Sequence, residues 1–90
     1  MKKAIITVVG KDCVGIIARV CTYLAQEKIN ILDISQTIVC GYFNMMMVVD
    51  VSTMSKSFDG FSTDLAEVGT EIGCVIRVQL EDIFDMMHRI

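Results

Sequence analysis

The apolar positions of this chain change period at glycines and polar clusters, and each change marks an element. Lys2 to Val9 is apolar and β-branched up to Gly10, which predicts a first strand. Beyond Val14 the apolar residues Ile17, Val20, Cys21 and Leu24 take the spacing of an amphipathic helix, with Arg19, Gln26, Glu27 and Lys28 on its wet side. From Asn30 to Val39 the pattern returns to period two. Leu32, Ile34 and Ile38 face one way, and Asp33, Ser35 and Thr37 the other. Cys40-Gly41-Tyr42 supplies a turn, so the strand that follows, Phe43 to Val51, closes a hairpin. That strand does not alternate. Phe43, Met45, Met47 and Val49 are apolar on one face and Met46 and Val48 on the other, so it calls for cover on both sides.

After the polar loop Ser52 to Ser57, the residues Phe58, Phe61, Leu65, Val68 and Ile72 predict a second amphipathic helix. Ser57 is its N-cap candidate, Asp59 lies in its first turn and Gly73 stops it. Gly60 and Gly69 each cost this helix roughly 1 kcal/mol relative to alanine, so packing has to hold it. Cys74 to Leu80 alternates Cys74, Ile76, Val78 and Leu80 against Arg77 and Gln79, which predicts a fourth strand. The order is β-α-β-β-α-β. Right-handed crossovers then place both helices on one face of a four-stranded antiparallel sheet, an α+β, ferredoxin-like fold. Residues 1–80 make this one domain. Residues 81–90 read as a short C-terminal helical tail, with Ile83, Met87 and Ile90 on one side and Phe84 beside them.

Composition narrows the function classes. Ninety residues suffice for one domain whose core is barely large enough alone. Yet 53% of the residues are hydrophobic and the mean hydropathy is +0.57, an excess that subunit contacts would use. No apolar run reaches the roughly 18 residues of a membrane span, and MKKAIITVVG lacks a signal-peptide cleavage site, so a cytoplasmic protein without a membrane partner is expected. Net charge is −3, with no basic stripe, which argues against direct nucleic-acid binding. The four cysteines Cys13, Cys21, Cys40 and Cys74 form no CxxC pair. Cys21, Cys40 and Cys74 sit among apolar neighbours and read as buried free thiols in a reducing compartment.

The chemistry-bearing stretch is VVGKDCVGIIARV, where Asp12 and Cys13 stand between two glycines at a strand-to-helix junction. A soft-metal carrier needs paired thiolates, and Cys13 is alone, so no metal and no cofactor is expected. A phosphoryl-transfer loop needs a clamping arginine there, whereas Arg19 falls on the helix surface. An RNA-binding sheet of this order would carry aromatics on strands one and three, and strand one has none. A nucleophilic enzyme would need a base beside Cys13, and the single histidine, His88, is in the tail. The pattern suits a small zwitterion instead. A helix N-terminus receives its carboxylate, Asp12 its ammonium group, and Asn30 adds a donor and an acceptor. The plain structural alternative stands beside this reading: Asp12 as a cap, Gly15 as a packing glycine, Asn30 as a turn residue.

The stretch GKDCVGIIARVCTYLAQEKINILDI resembles the opening of an ACT domain, in which a G-x-D/N-x-x-G-hydrophobic loop begins the first helix and Asn-Ile begins the second strand. The matching residues are Gly10, Asp12, Gly15 and Ile16, then Asn30 and Ile31. The resemblance covers about residues 2–80, and the short chain is most similar to stand-alone members related to the regulator of the glycine cleavage system. It implies a non-enzymatic regulator that binds a small amino acid, acting as a homodimer or a dimer of dimers whose sheets join side by side. The ligand contacts it implies are Gly10, Asp12, Cys13, Val14, Gly15 and Ile16 of one subunit, with Asn30 and Ile31 opposite. The sequence departs from the family at Cys13-Val14, where many members have Arg-Pro, and so lacks that arginine. A rival expectation is an interaction module that docks on an enzyme or regulator through Met45-Met46-Met47 and the tail, without binding an amino acid.

Overall fold

The computed structural model describes residues 2–11, 13–54 and 56–80. The element order is β1 (Lys3–Gly10), α1 (Cys13–Gln26), β2 (Asn30–Val39), β3 (Tyr42–Asp50), α2 (Phe58–Ile72) and β4 (Val75–Leu80). The strands form a four-stranded sheet in the order β2-β3-β1-β4, and every neighbouring pair is antiparallel. This is the ferredoxin-like α+β fold. The expected tail helix falls in residues 81–90, outside the described residues.

The local signals act where the sequence puts them. The Ser57 hydroxyl accepts from the Gly60 N–H at 3.2 Å and caps α2, and Gly73 closes that helix with φ 76°. Gly69 lies where α2 crosses the start of β4. A Cβ there would come within 2.8 Å of the Cys74 carbonyl oxygen, so close helix–sheet contact explains why α2 tolerates a glycine.

One face of the sheet carries the core. Ala4, Ile6 and Val8 of β1 alternate inward, in register with Val49, Met47 and Met45 of β3, and all six are buried. The helices close over them with Ile16, Val20 and Leu24 from α1 and Phe61, Leu65 and Val68 from α2. The buried stripe of α1 is therefore Ile16, Val20, Tyr23 and Leu24, whereas Ile17 and Cys21 of the expected stripe lie at its margin. The reason is tertiary: α2 sets Phe61 beside α1, and Tyr23 stacks on it with ring centres 6.1 Å apart. The helix rolls accordingly.

The three methionines separate by period. Met45 and Met47 are core, and only Met46 is exposed on the face away from the helices, so the run offers no continuous methionine surface. Cys40 also departs from expectation. It is exposed at φ 52° in the hairpin turn, whereas Cys21 and Cys74 are half-buried; these three are free thiols.

Strand β2 follows its expected bounds but not its expected burial. A bulge between Ile31 and Asp33 leaves Leu32 without a ladder partner. Past it, Ile34 and Ile38 pair with Met47 and Phe43 on the helix side, yet both stay exposed, Ile38 at 69%. As the edge of the sheet, β2 lies beyond the cover that the helices give.

Candidate ligand-binding site

The loop after β1 is anchored by contact. Gly10 pairs with Phe43, and a Cβ on it would fall 2.6 Å from the Cys74 Cβ and 2.9 Å from the Ile16 Cδ1. Its hydrogen thus lets the end of β1 meet both α1 and the start of β4. Ile16 itself is buried in the core and fixes the first turn of α1. Cys13 and Val14 open that helix, and Asp12 lies outside the described residues. Gly15 is the opposite of Gly10: it is exposed, and beyond its own helix turn a Cβ there would meet nothing within 4 Å. Gly15 does not act as a packing glycine. The N–H groups of a first helical turn have no partner within the helix.

Two residues that the sequence did not single out stand beside this loop. The Lys11 ammonium lies 5.6 Å from the centre of the Tyr42 ring, and both side chains are exposed. Antiparallel pairing of β1 with β3 brings the first residue of β3 to the end of β1. Only that register, invisible in either segment alone, would have revealed the contact. The ion pairs among the described residues are Arg19–Glu71 and Lys56–Asp64, and neither involves Lys11.

Asn30 and Ile31 lie at the other end of the sheet. Asn30 pairs with Asp50, which also pairs with Lys3, whereas Gly10 pairs with Phe43 at the hairpin end. The seven residue steps of β1 from Lys3 to Gly10 span on the order of 20 Å. Within one chain, then, the loop and Asn30 are too far apart to hold one small molecule. The Asn30 end has its own polar network. Asp50 accepts from both the backbone N–H and the hydroxyl of Ser52, which hold its carboxyl below the usual range, and Thr53 donates to the Lys28 carbonyl at 3.1 Å.

Two depressions lie away from the loop. Between the helices, a cavity of about 200 Å³ is lined by Arg19, Tyr23, Asp64, Glu67, Val68 and Glu71. Around it Tyr23 donates to Asp64 at 2.7 Å, Lys56 donates to the same oxygen, and Arg19 pairs with Glu71. On the face away from the helices, a groove of about 260 Å³ is lined by neutral groups, with Thr7, Ser35, Thr37 and Asn44 around Met46. No cluster of three or more metal-ligating side chains occurs among the described residues. No helix among them is long and apolar enough to cross a membrane.

Comparison with known proteins agrees with this architecture. The family profile described as ACT domain matches residues 2–79. A UPF0237 protein of Bifidobacterium longum is 61% identical over 90 residues, covering 100% of both chains. Among solved structures, an ACT domain protein from Streptococcus pneumoniae superposes with a TM-score of 0.83 at 42% identity, covering 93% of this chain and 94% of that one. A putative glycine cleavage system transcriptional repressor shares the fold, with a TM-score of 0.72 at 22% identity, covering 88% of this chain and 45% of that one.

Proposed function

Since this chain belongs to the ACT domain family, we propose that it is a non-catalytic cytoplasmic regulator that binds a small amino acid between two copies joined along β2. One observation carries the reading. The loop and Asn30 occupy opposite ends of the sheet, and the edge between them is a ten-residue strand, open on one side, with Leu32, Ile34, Ile38 and Val39 exposed. Two such edges that meet antiparallel about a two-fold axis run in opposite directions. The Asn30 end of one copy then lies against the hairpin and loop end of the other. A site split in the protomer is completed twice in the dimer.

At each completed site the first turn of α1, which contains Gly15, offers N–H groups to the ligand carboxylate. Asp12 supplies an acceptor for its ammonium group, and the partner copy's Asn30 adds an amide. A ligand that touches both copies stabilises the joined arrangement in proportion to its preference for it. Millimolar sensing needs about 4 kcal/mol, within reach of a few charge-assisted hydrogen bonds. The free thiols at Cys21, Cys40 and Cys74 suit a reducing cytoplasm.

Titration calorimetry against the twenty amino acids, with melting shifts measured in parallel, tests the proposal. We expect at least one small amino acid to bind, and Asn30→Ala to weaken it without altering the fold of the exposed strand end. No heat and no melting shift for any of the twenty would end it.

A further inference from the structure

The loop carries one cation, and its surroundings point to a use. Lys11 follows the anchored Gly10, so its backbone is fixed by the contacts of Gly10 with Cys74 and Ile16. Its side chain turns to β3, where the ammonium lies over the face of Tyr42. A ring face attracts a cation but takes up none of its three N–H donors as a carboxylate would. Among the described residues no carboxylate pairs with Lys11, and the Tyr42 ring face holds the ammonium in position. Val39, opposite Tyr42 in the ladder and 53% exposed, puts an apolar wall at the same end of the sheet.

We infer that Lys11, positioned by Tyr42, is the residue that selects for the carboxylate of the bound amino acid. The inference rests on the amino-acid-binding reading and names a determinant of its specificity. The helix N-terminus alone offers partial positive charge and tolerates neutral acceptors. A full ammonium in the same loop, two residues before α1 begins, favours an anion, which makes the site discriminate between a carboxylate and a carboxamide. Cys13 and Val14 bring no cation of their own to the loop. Tyr42 is a positioning residue: it touches Lys11 and narrows the volume that the flexible ammonium visits.

The test compares the amino acid that gives the largest melting shift with its own carboxamide, by calorimetry on the wild-type dimer and on variants. Wild-type protein should prefer the acid to the amide by about tenfold or more. Lys11→Gln should bind the acid about as weakly as the amide, and its affinity should lose most of its dependence on salt. Lys11→Arg keeps the charge and should keep the preference. Tyr42→Leu should lower the preference and Tyr42→Phe, which retains the ring face, should not. Since Lys11 and Tyr42 are exposed, unchanged melting temperatures of the free variants are expected and show that they fold. An acid-over-amide preference that survives in Lys11→Gln overturns the inference and leaves amino-acid binding standing. A wild-type protein that binds none of the twenty overturns both.

Discussion

Gly10 and Cys74 approach so closely that a methyl group on Gly10 would lie 2.6 Å from the Cys74 Cβ. Substitution Gly10→Ala should therefore destabilise the fold by about 1–3 kcal/mol, the usual cost of forcing an extra carbon into a packed contact. The Ile16 Cδ1, at 2.9 Å, is the end of a flexible side chain and yields more easily than the Cys74 Cβ, which is fixed to the backbone just before β4. In the Gly10→Ala background, Cys74→Gly should recover part of the loss. Urea denaturation of the two single variants and the double variant checks this. Strictly additive losses would show that the approach of these two residues is not the cause.

Tyr23 and Asp64 tie α1 to α2 through a 2.7 Å hydrogen bond, to which Lys56 adds an ion pair. Burial, and then the Asp64 carboxylate that accepts from it, push the Tyr23 phenol well above its ordinary 10.0. The unfolded chain releases this proton near pH 10 while the folded chain keeps it. The contribution is thus complete below about pH 10 and declines as pH rises beyond it. On the acid side Lys56, and then Tyr23, hold Asp64 below its ordinary 3.8, so that its contribution is present above that pH and fades as pH falls through the lowered value. Tyr23→Phe should cost roughly 1 kcal/mol at neutral pH and lose less stability than wild type above pH 10. Urea midpoints followed from pH 3 to 11 decide it; parallel alkaline limbs would count against the assignment.

Ile38 is the most exposed large apolar residue of the β2 edge, at 69%. Replacement by lysine puts a charge where two copies would meet and changes little within the protomer. Light scattering should show the wild type as a dimer and Ile38→Lys shifted to the monomer. The protomer fold, read by circular dichroism at high concentration, should stay intact, since a surface substitution of this kind falls within about 0.5 kcal/mol. A variant as dimeric as wild type would place the subunit contact elsewhere.

Features that near neighbours along the chain decide were legible before any folding was known. Period-two runs located β2 and β4, and continuous apolar runs β1 and β3, each within a residue or two; Ser57 and Gly73 bounded α2, and the order of elements left a single reasonable sheet. The glycine-flanked loop and the Asn-Ile pair were legible as a family signature, although their distance from one another was not. Tertiary structure decided the rest, because each remaining question concerns residues far apart in sequence. The roll of α1 toward Ile16 and Tyr23 follows from Phe61, more than thirty residues away. The exposure of Ile34 and Ile38 follows from the width the helices cover, not from the alternation of β2. Lys11 meets Tyr42 through the β1–β3 register, and that same register sends Gly10 and Asn30 to opposite ends of the sheet. Periodicity fixes which way a side chain points relative to its own strand or helix; only packing fixes what it meets there.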